Sequence, residues 1–138
     1  MAGDALQRDL ERVNASALFN RWAAFSVDEA TAGRCVLTTP WRPEFAQYSG
    51  FLHAGVIAAM LDTSSGFAAA TELGALMTSQ MSISFLAPAA GERFRAEAAL
   101  VKGGRRQAFA EARLLAIRGG EERLVATATA VLLRNAQG

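Results

Sequence analysis

Histidine and cysteine, the side chains most often used as metal ligands or nucleophiles, are almost missing from this chain. Its 138 residues include one of each, His53 and Cys35. A lone cysteine excludes an intrachain disulfide and suits a reducing, cytoplasmic setting. One histidine and one cysteine are too few for a zinc-type cluster, so no metal is expected. Within the mixed run GRCVLTT, Cys35 reads as a small buried hydrophobe. Charge of one sign is also lacking: 14 Lys and Arg stand against 13 Asp and Glu, for a net charge of +1. That balance leaves no footprint for nucleic acid or a membrane surface as partner. The opening run MAGDALQRDLERVN has charges where an apolar signal core would lie, so no signal peptide is expected. With 51% hydrophobic and 20% charged residues, the composition fits one compact domain over residues 1–138.

What the chain has in excess is one apolar helical stretch, HAGVIAAMLDTSSGFAAAT, from His53 to Thr71. It is apolar on nearly every face, which implies a helix wrapped by other structure. It is short for a membrane span and carries polar residues at its middle. Asp62 sits there, and a carboxylate in an apolar setting is costly unless paired or hydrogen-bonded. Asp62 is therefore expected to be buried and functional, the alternative being a structural carboxylate bonded by Thr63, Ser65 or a neighbouring strand.

The rest of the chain supplies the wrapping. Leu6, Leu10, Val13 and Ala17 recur at helical spacing, predicting an amphipathic N-terminal helix to about residue 20 that covers the main body. Two short strand-like runs between Trp22 and Thr39 are split by a turn at Ala32-Gly33. Pro40 and Pro43 then end strand pairing, and PWRPEFAQYSGFL forms an irregular loop into the helix. After Gly74 the pattern alternates with period two. Turns at Pro88–Gly91, Gly103-Gly104 and Gly119-Gly120 separate four strands over 76–134, which predicts an antiparallel meander. Thr78, Gln80, Ser82 and Ser84 are expected on one face of the first of these strands. Frequent alanines on the last three would let a helix approach closely. The fold class is α+β: about six antiparallel strands around a central helix over 53–72. Its uncovered edges favour pairing of two copies, so a dimer or higher oligomer is expected.

The series HAGVIAAMLDTSSGFAAA, TSQMSISFLAPA and GRRQAFAEARL resembles the hotdog-fold acyl-CoA thioesterases, in particular their phenylacetate-pathway (PaaI-like) branch. The resemblance covers roughly residues 33–134. It implies hydrolysis of an acyl-CoA to free acid and CoA, with no metal or redox cofactor. It matches the family's acidic catalytic residue to Asp62, as general base for water or as nucleophile. It matches the backbone N–H that polarises the thioester carbonyl to Ala54, with Gly55 next, although relatives usually have glycine where Ala54 stands. Gln47 matches an amide that orients water or thioester, and Thr78 a hydroxyl lining the site. His53 is expected on the substrate side as an orienting group that caps the helix or braces the loop. Lys102, Arg105 and Arg106 are either a solvated turn or the cations that meet CoA phosphates. Asp62 lies nine positions after His53, so one helix cannot bring its own N-terminus and its own carboxylate to one carbonyl. The family answers this with a dimer, and two dimers joined as a tetramer are the expected assembly. By analogy with that branch, Phe51, Phe67, Met60 and Trp41 are expected to form an apolar or aromatic acyl pocket.

Two other readings compete. A hotdog hydratase or dehydratase needs a catalytic histidine on or near the helix, whereas His53 lies at the loop end. A non-catalytic acyl-CoA-binding protein would keep the pocket without turnover. A serine hydrolase is excluded, because Ser64 and Ser65 share one helix with Asp62 and no G-x-S-x-G elbow exists.

Overall fold

A computed structural model describes residues 2–135. In chain order it contains α1 (Ala2–Ser16), α2 (Leu18–Trp22), β1 (Ser26–Thr31), β2 (Arg34–Pro40), a 3-10 turn (Pro43–Phe45), α3 (Ala54–Leu73), β3 (Leu76–Phe85), β4 (Arg93–Gly103), β5 (Gln107–Arg118) and β6 (Glu121–Arg134). The strands form one six-stranded sheet in the order β1-β2-β4-β5-β6-β3, and every pairing is antiparallel. The sheet wraps α3 in the hotdog arrangement.

Alternation explains which face meets the helix. Ala96, Leu114 and Ala126 lie side by side across β4, β5 and β6, as do Ala98, Ala112 and Ala128. All six are buried. Alanine at these positions lets Met60, Leu61, Ser64, Ser65 and Ala68 of α3 sit directly on the sheet. On the outer face Arg95 bonds both Glu97 and Glu122, and Arg113 bonds Glu97. Burial pushes the Glu97 carboxyl up, but the hydrogen bonds from Arg113 and Arg95 outweigh it and hold it below the ordinary value. Cys35 is fully buried. Burial, reinforced by Asp28 and Glu29, pushes its thiol up to about 12, so it is an inert core residue.

Four expectations are corrected here. The N-terminal helix breaks at Ala17, which is extended with φ −90° and ψ 118°. Ser16 Oγ donates back to Val13 O at 2.6 Å, and such back-bonding competes with helix continuation. The last four strands are not a simple meander, since β3 pairs with β6 and β4 with β2. The loop over 86–92 crosses from one edge of the sheet to its interior instead of closing a hairpin. Thr78 and Gln80 do not share a face. A bulge between them gives the partners Thr78↔Leu132 and Gln80↔Val131. One extra residue reverses the alternation, so Thr78 turns to the helix side while Gln80, Ser82 and Ser84 stay outside. Finally, α3 is not enclosed all round: the side carrying Asp62, Thr63, Gly66, Phe67 and Ala70 is only partly covered. Alanine and glycine on that side made the helix look uniformly apolar, yet such small residues lose little by lying near water.

The two sheet edges differ. β1 has a bulge at Asp28 and is covered by α1, whose Gln7 Nε2 donates to Val27 O at 3.2 Å and to Asp28 O at 3.3 Å. β3 pairs on one side only, with β6.

Candidate active site

The expected site residues fall into three places. The first is the N-terminus of α3. His53 caps it: Nδ1 accepts from Gly55 N at 2.8 Å, and His53 O accepts from Val56 N and Ile57 N. The His53 backbone N–H donates to Phe45 O at 2.8 Å, and Phe45 is 1% exposed, so the start of the helix is fixed to the core. The imidazole serves as the cap that the sequence suggested. The cap also decides which donor stays free. Gly55 N–H is taken by the ring, and Ala54 N–H has no partner among the described residues. Free N–H groups at a helix start favour negative charge. A Cβ on Gly55 would lie 3.0 Å from His53 Nδ1, so glycine here makes room for the ring.

Gln47 lies beside this N-terminus. Its Oε1 accepts from the backbone N–H of Ser49 and of Phe51, and its own backbone N–H donates to Phe51 O at 2.8 Å. The amide oxygen thus shapes the loop, and Nε2 has no partner among the described residues. Gln47, Phe51, His53, Ala54 and Ile57 line a recess of 310 Å³.

The second place is a little over two turns along α3. Asp62 Oδ1 accepts from Thr78 Oγ1 at 2.5 Å. The bulge in β3 is what brings this hydroxyl to the carboxylate. Asp62 is half-buried and Thr78 exposed, which corrects the expectation of a buried acid. Both line a cavity of 780 Å³ between α1, α3 and the start of β3. No residue lines both this cavity and the smaller recess. Along the helix, Ala54 and Asp62 are about 12 Å apart, so within one chain they face separate spaces.

The third place is the end of β4 and the turn that leads to β5. Lys102, Arg105 and Arg106 are exposed there and make no ion pair among the described residues. The turn sits at the C-terminal end of α3: a Cβ on Gly103 would be 2.9 Å from Leu73 Cδ1, and Arg134 Nη1 donates to Gly104 O at 3.2 Å. The cations therefore join neither Gln47 nor Ala54 in the same chain.

Within one chain the residues of the expected apolar or aromatic acyl pocket are divided. Met60 is sealed in the core, Trp41 packs edge-on against Phe94 with ring centroids 6.2 Å apart, Phe51 lines the small recess and Phe67 the large cavity. The serine alternative fails on access, since Ser64 and Ser65 are both 0% exposed and Ser64 Oγ donates to Leu61 O. Among the described residues, no group of three or more His, Cys, Asp or Glu is placed to hold a metal ion. None of their helices is long and apolar enough to cross a membrane.

Comparison with known proteins agrees with this fold. A crystal structure of a thioesterase family protein from Silicibacter pomeroyi is 35% identical and superimposes with a TM-score of 0.89, covering 93% of this chain and 96% of that one. A point variant of the phenylacetic acid degradation protein PaaI from Thermus thermophilus shares the fold at 22% identity, with a TM-score of 0.79 over 86% of this chain and 100% of that one. A Saccharolobus solfataricus protein with an esterase name is 34% identical over 74 residues, which is 52% of this chain and 53% of that protein. The chain thus spans about half the length of this curated relative. Residues 49–130 match the thioesterase superfamily, a stretch that holds Ala54, Asp62 and Thr78, and the chain belongs to that superfamily.

Proposed function

We propose that this protein hydrolyses an acyl-CoA thioester to free acid and CoA, at sites shared between two copies of the chain. The observation that carries this reading is the division of the candidate groups. A free helix N-terminal N–H and an amide lie in one recess, and a hydroxyl-bonded carboxylate lies in another. Neither set alone offers both a polarising donor and an acid or base.

Edge pairing supplies the missing half. Thr78 is near the start of β3, and Phe85, which lines the Ala54 recess, is at its end. Two copies of β3 paired antiparallel about a twofold axis would set the beginning of one strand against the end of the other. That brings Asp62 of one copy towards Ala54 of its mate, and it covers the uncapped edge. In such a site Ala54 N–H holds the carbonyl oxygen as negative charge develops on it. Asp62 takes a proton from the attacking water, or attacks the carbonyl carbon itself to give a transient anhydride. The C–S bond breaks, CoA leaves as the thiol, and water supplies the oxygen of the free acid. Thr78 orients Asp62, and Gln47 Nε2 is available to hold water or thioester. Lys102, Arg105 and Arg106 supply cations for the phosphates of CoA. A pair of such dimers as a tetramer, and residence in the cytoplasm, remain part of this reading.

The test is thiol release from a panel of short, medium, long and aromatic acyl-CoAs, with wild type and Asp62→Asn side by side. Turnover of some members, lost in the variant, is the expected result. Tight acyl-CoA binding with no thiol released from any member would replace hydrolysis by a binding role and make Asp62 structural.

A further inference from the structure

We propose that the cavity beneath α1 is the acyl pocket, that it takes a neutral, extended acyl chain, and that Gly66 sets the length admitted. This rests on the reading of Asp62 as the residue at the thioester. The cavity's chemistry is graded. Asp62 and Thr78 line it together with Leu10, Val13, Phe67 and Leu76. A ligand that fits such a lining has a polar reacting end and an apolar body. At 780 Å³ the cavity falls within the range of small-ligand sites, about 300–1,000 Å³.

Its direction follows from helix geometry. Asp62, Gly66, Ala70 and Gly74 all line the cavity and are spaced by four, so they form one row along α3 and its C-cap. The row runs about 18 Å from the carboxylate. Beyond Asp62 it carries no side chain larger than a methyl, leaving a trough one side-chain row wide, which suits an extended chain better than a bulky ring. Gly66 is the informative member. Glycine inside a helix is destabilising relative to alanine, so a packing demand would be its usual reason. There is none here: a Cβ at Gly66 would meet nothing within 4 Å. The absent side chain keeps the trough open. Charge narrows the ligand class further. Asp62 and Asp9 both line the cavity and no Lys or Arg does, so a chain ending in a carboxylate is disfavoured. Asp9 itself is paired with Arg12 at 2.6 Å.

The experiment is kcat/KM for thiol release from acetyl-, butyryl-, octanoyl-, dodecanoyl- and glutaryl-CoA, with wild type, Gly66→Leu and Val13→Phe. In wild type the value should rise about fourfold per added methylene until the trough is full, and glutaryl-CoA should be poorer than butyryl-CoA. Gly66→Leu, which places a better helix former in open space, should keep or raise Tm. It should also lower the dodecanoyl-to-butyryl ratio at least tenfold. Val13→Phe intrudes from α1 and should shift the same ratio in the same direction. An active wild type whose chain-length profile is unchanged in both variants, or falls equally for all chain lengths, would overturn the acyl pocket and leave the hydrolase reading standing. No thiol release by wild type from any member would overturn both.

Discussion

The two recesses are built by different means. The one at the start of α3 is made of backbone: His53 N–H to Phe45 O, Leu52 N–H to Ala89 O and Gln47 N–H to Phe51 O fix it, and its free donor is the Ala54 amide. The other depends on side chains, with Asp62 held by one hydroxyl from a neighbouring strand above a cavity roofed by α1. Backbone function survives most substitutions, because any residue but proline carries the N–H. Side-chain function is lost with a single functional group. This accounts for how alanine at position 54 still presents the donor.

The strongest challenge to this contrast deletes one group from each recess. Asp62→Asn keeps size and hydrogen bonding and removes the charge. It should lower kcat/KM by about 10²- to 10⁴-fold with Tm little changed. Ala54→Pro is the backbone counterpart. Proline is well tolerated at the first helical position, where it removes one N–H. His53, the residue before it, already has φ −62° and ψ 138°, the extended conformation that a following proline requires. Loss of this donor should cost about 10²- to 10³-fold in kcat while circular dichroism shows the helix intact.

Mixing these two inactive proteins tests whether the recesses meet across two copies. After subunit exchange, half of the dimers should be mixed, each with one intact site, and activity should recover to about a quarter of wild type. No recovery despite exchange shown by mass spectrometry would place both groups in one chain's own site. Thr78→Val should have a smaller effect, about a tenfold loss in kcat, because Asp62 keeps its charge and loses one charge-assisted bond. Thr78→Ser should restore it.

Much of this was legible in the sequence because the signals are local. Gly33, Gly119 and Gly120 announce turns, and all three have positive φ. Alternation in β4 and β6 names the residues that meet the helix. Asp62 stands out as the one carboxylate in an apolar run, and His53 at the helix start reads as its cap. What could not be read depends on distant or ambiguous information. The pairing of β3 with β6 joins residues far apart in the chain, from Phe85 with Ala126 to Leu76 with Arg134, and no local pattern encodes it. The bulge that delivers Thr78 to Asp62 carries no glycine or proline; Ser79 looks like any strand residue. The open side of α3 was hidden because Ala70 and Gly66 suit a wrapped face and a cavity floor equally well.

The smallest effect tests the cap that leaves Ala54 N–H free. At a typical helix position Gly→Ala stabilises by up to about 1 kcal/mol. At Gly55 the new methyl would sit 3.0 Å from His53 Nδ1 and 3.3 Å from Cε1, so the ring must shift and its bond to Gly55 N must lengthen. The propensity gain and the weakened cap should nearly cancel, leaving Tm within about 3 °C of wild type. Cancellation is distinguished from indifference by repeating the change in His53→Ala, where nothing crowds the methyl and Gly55→Ala should then stabilise. A coupling of about 1 kcal/mol between the two positions in denaturant unfolding is the expected result. Additivity would mean that the imidazole can yield at no cost, and that the cap does not determine which amide is left for the substrate.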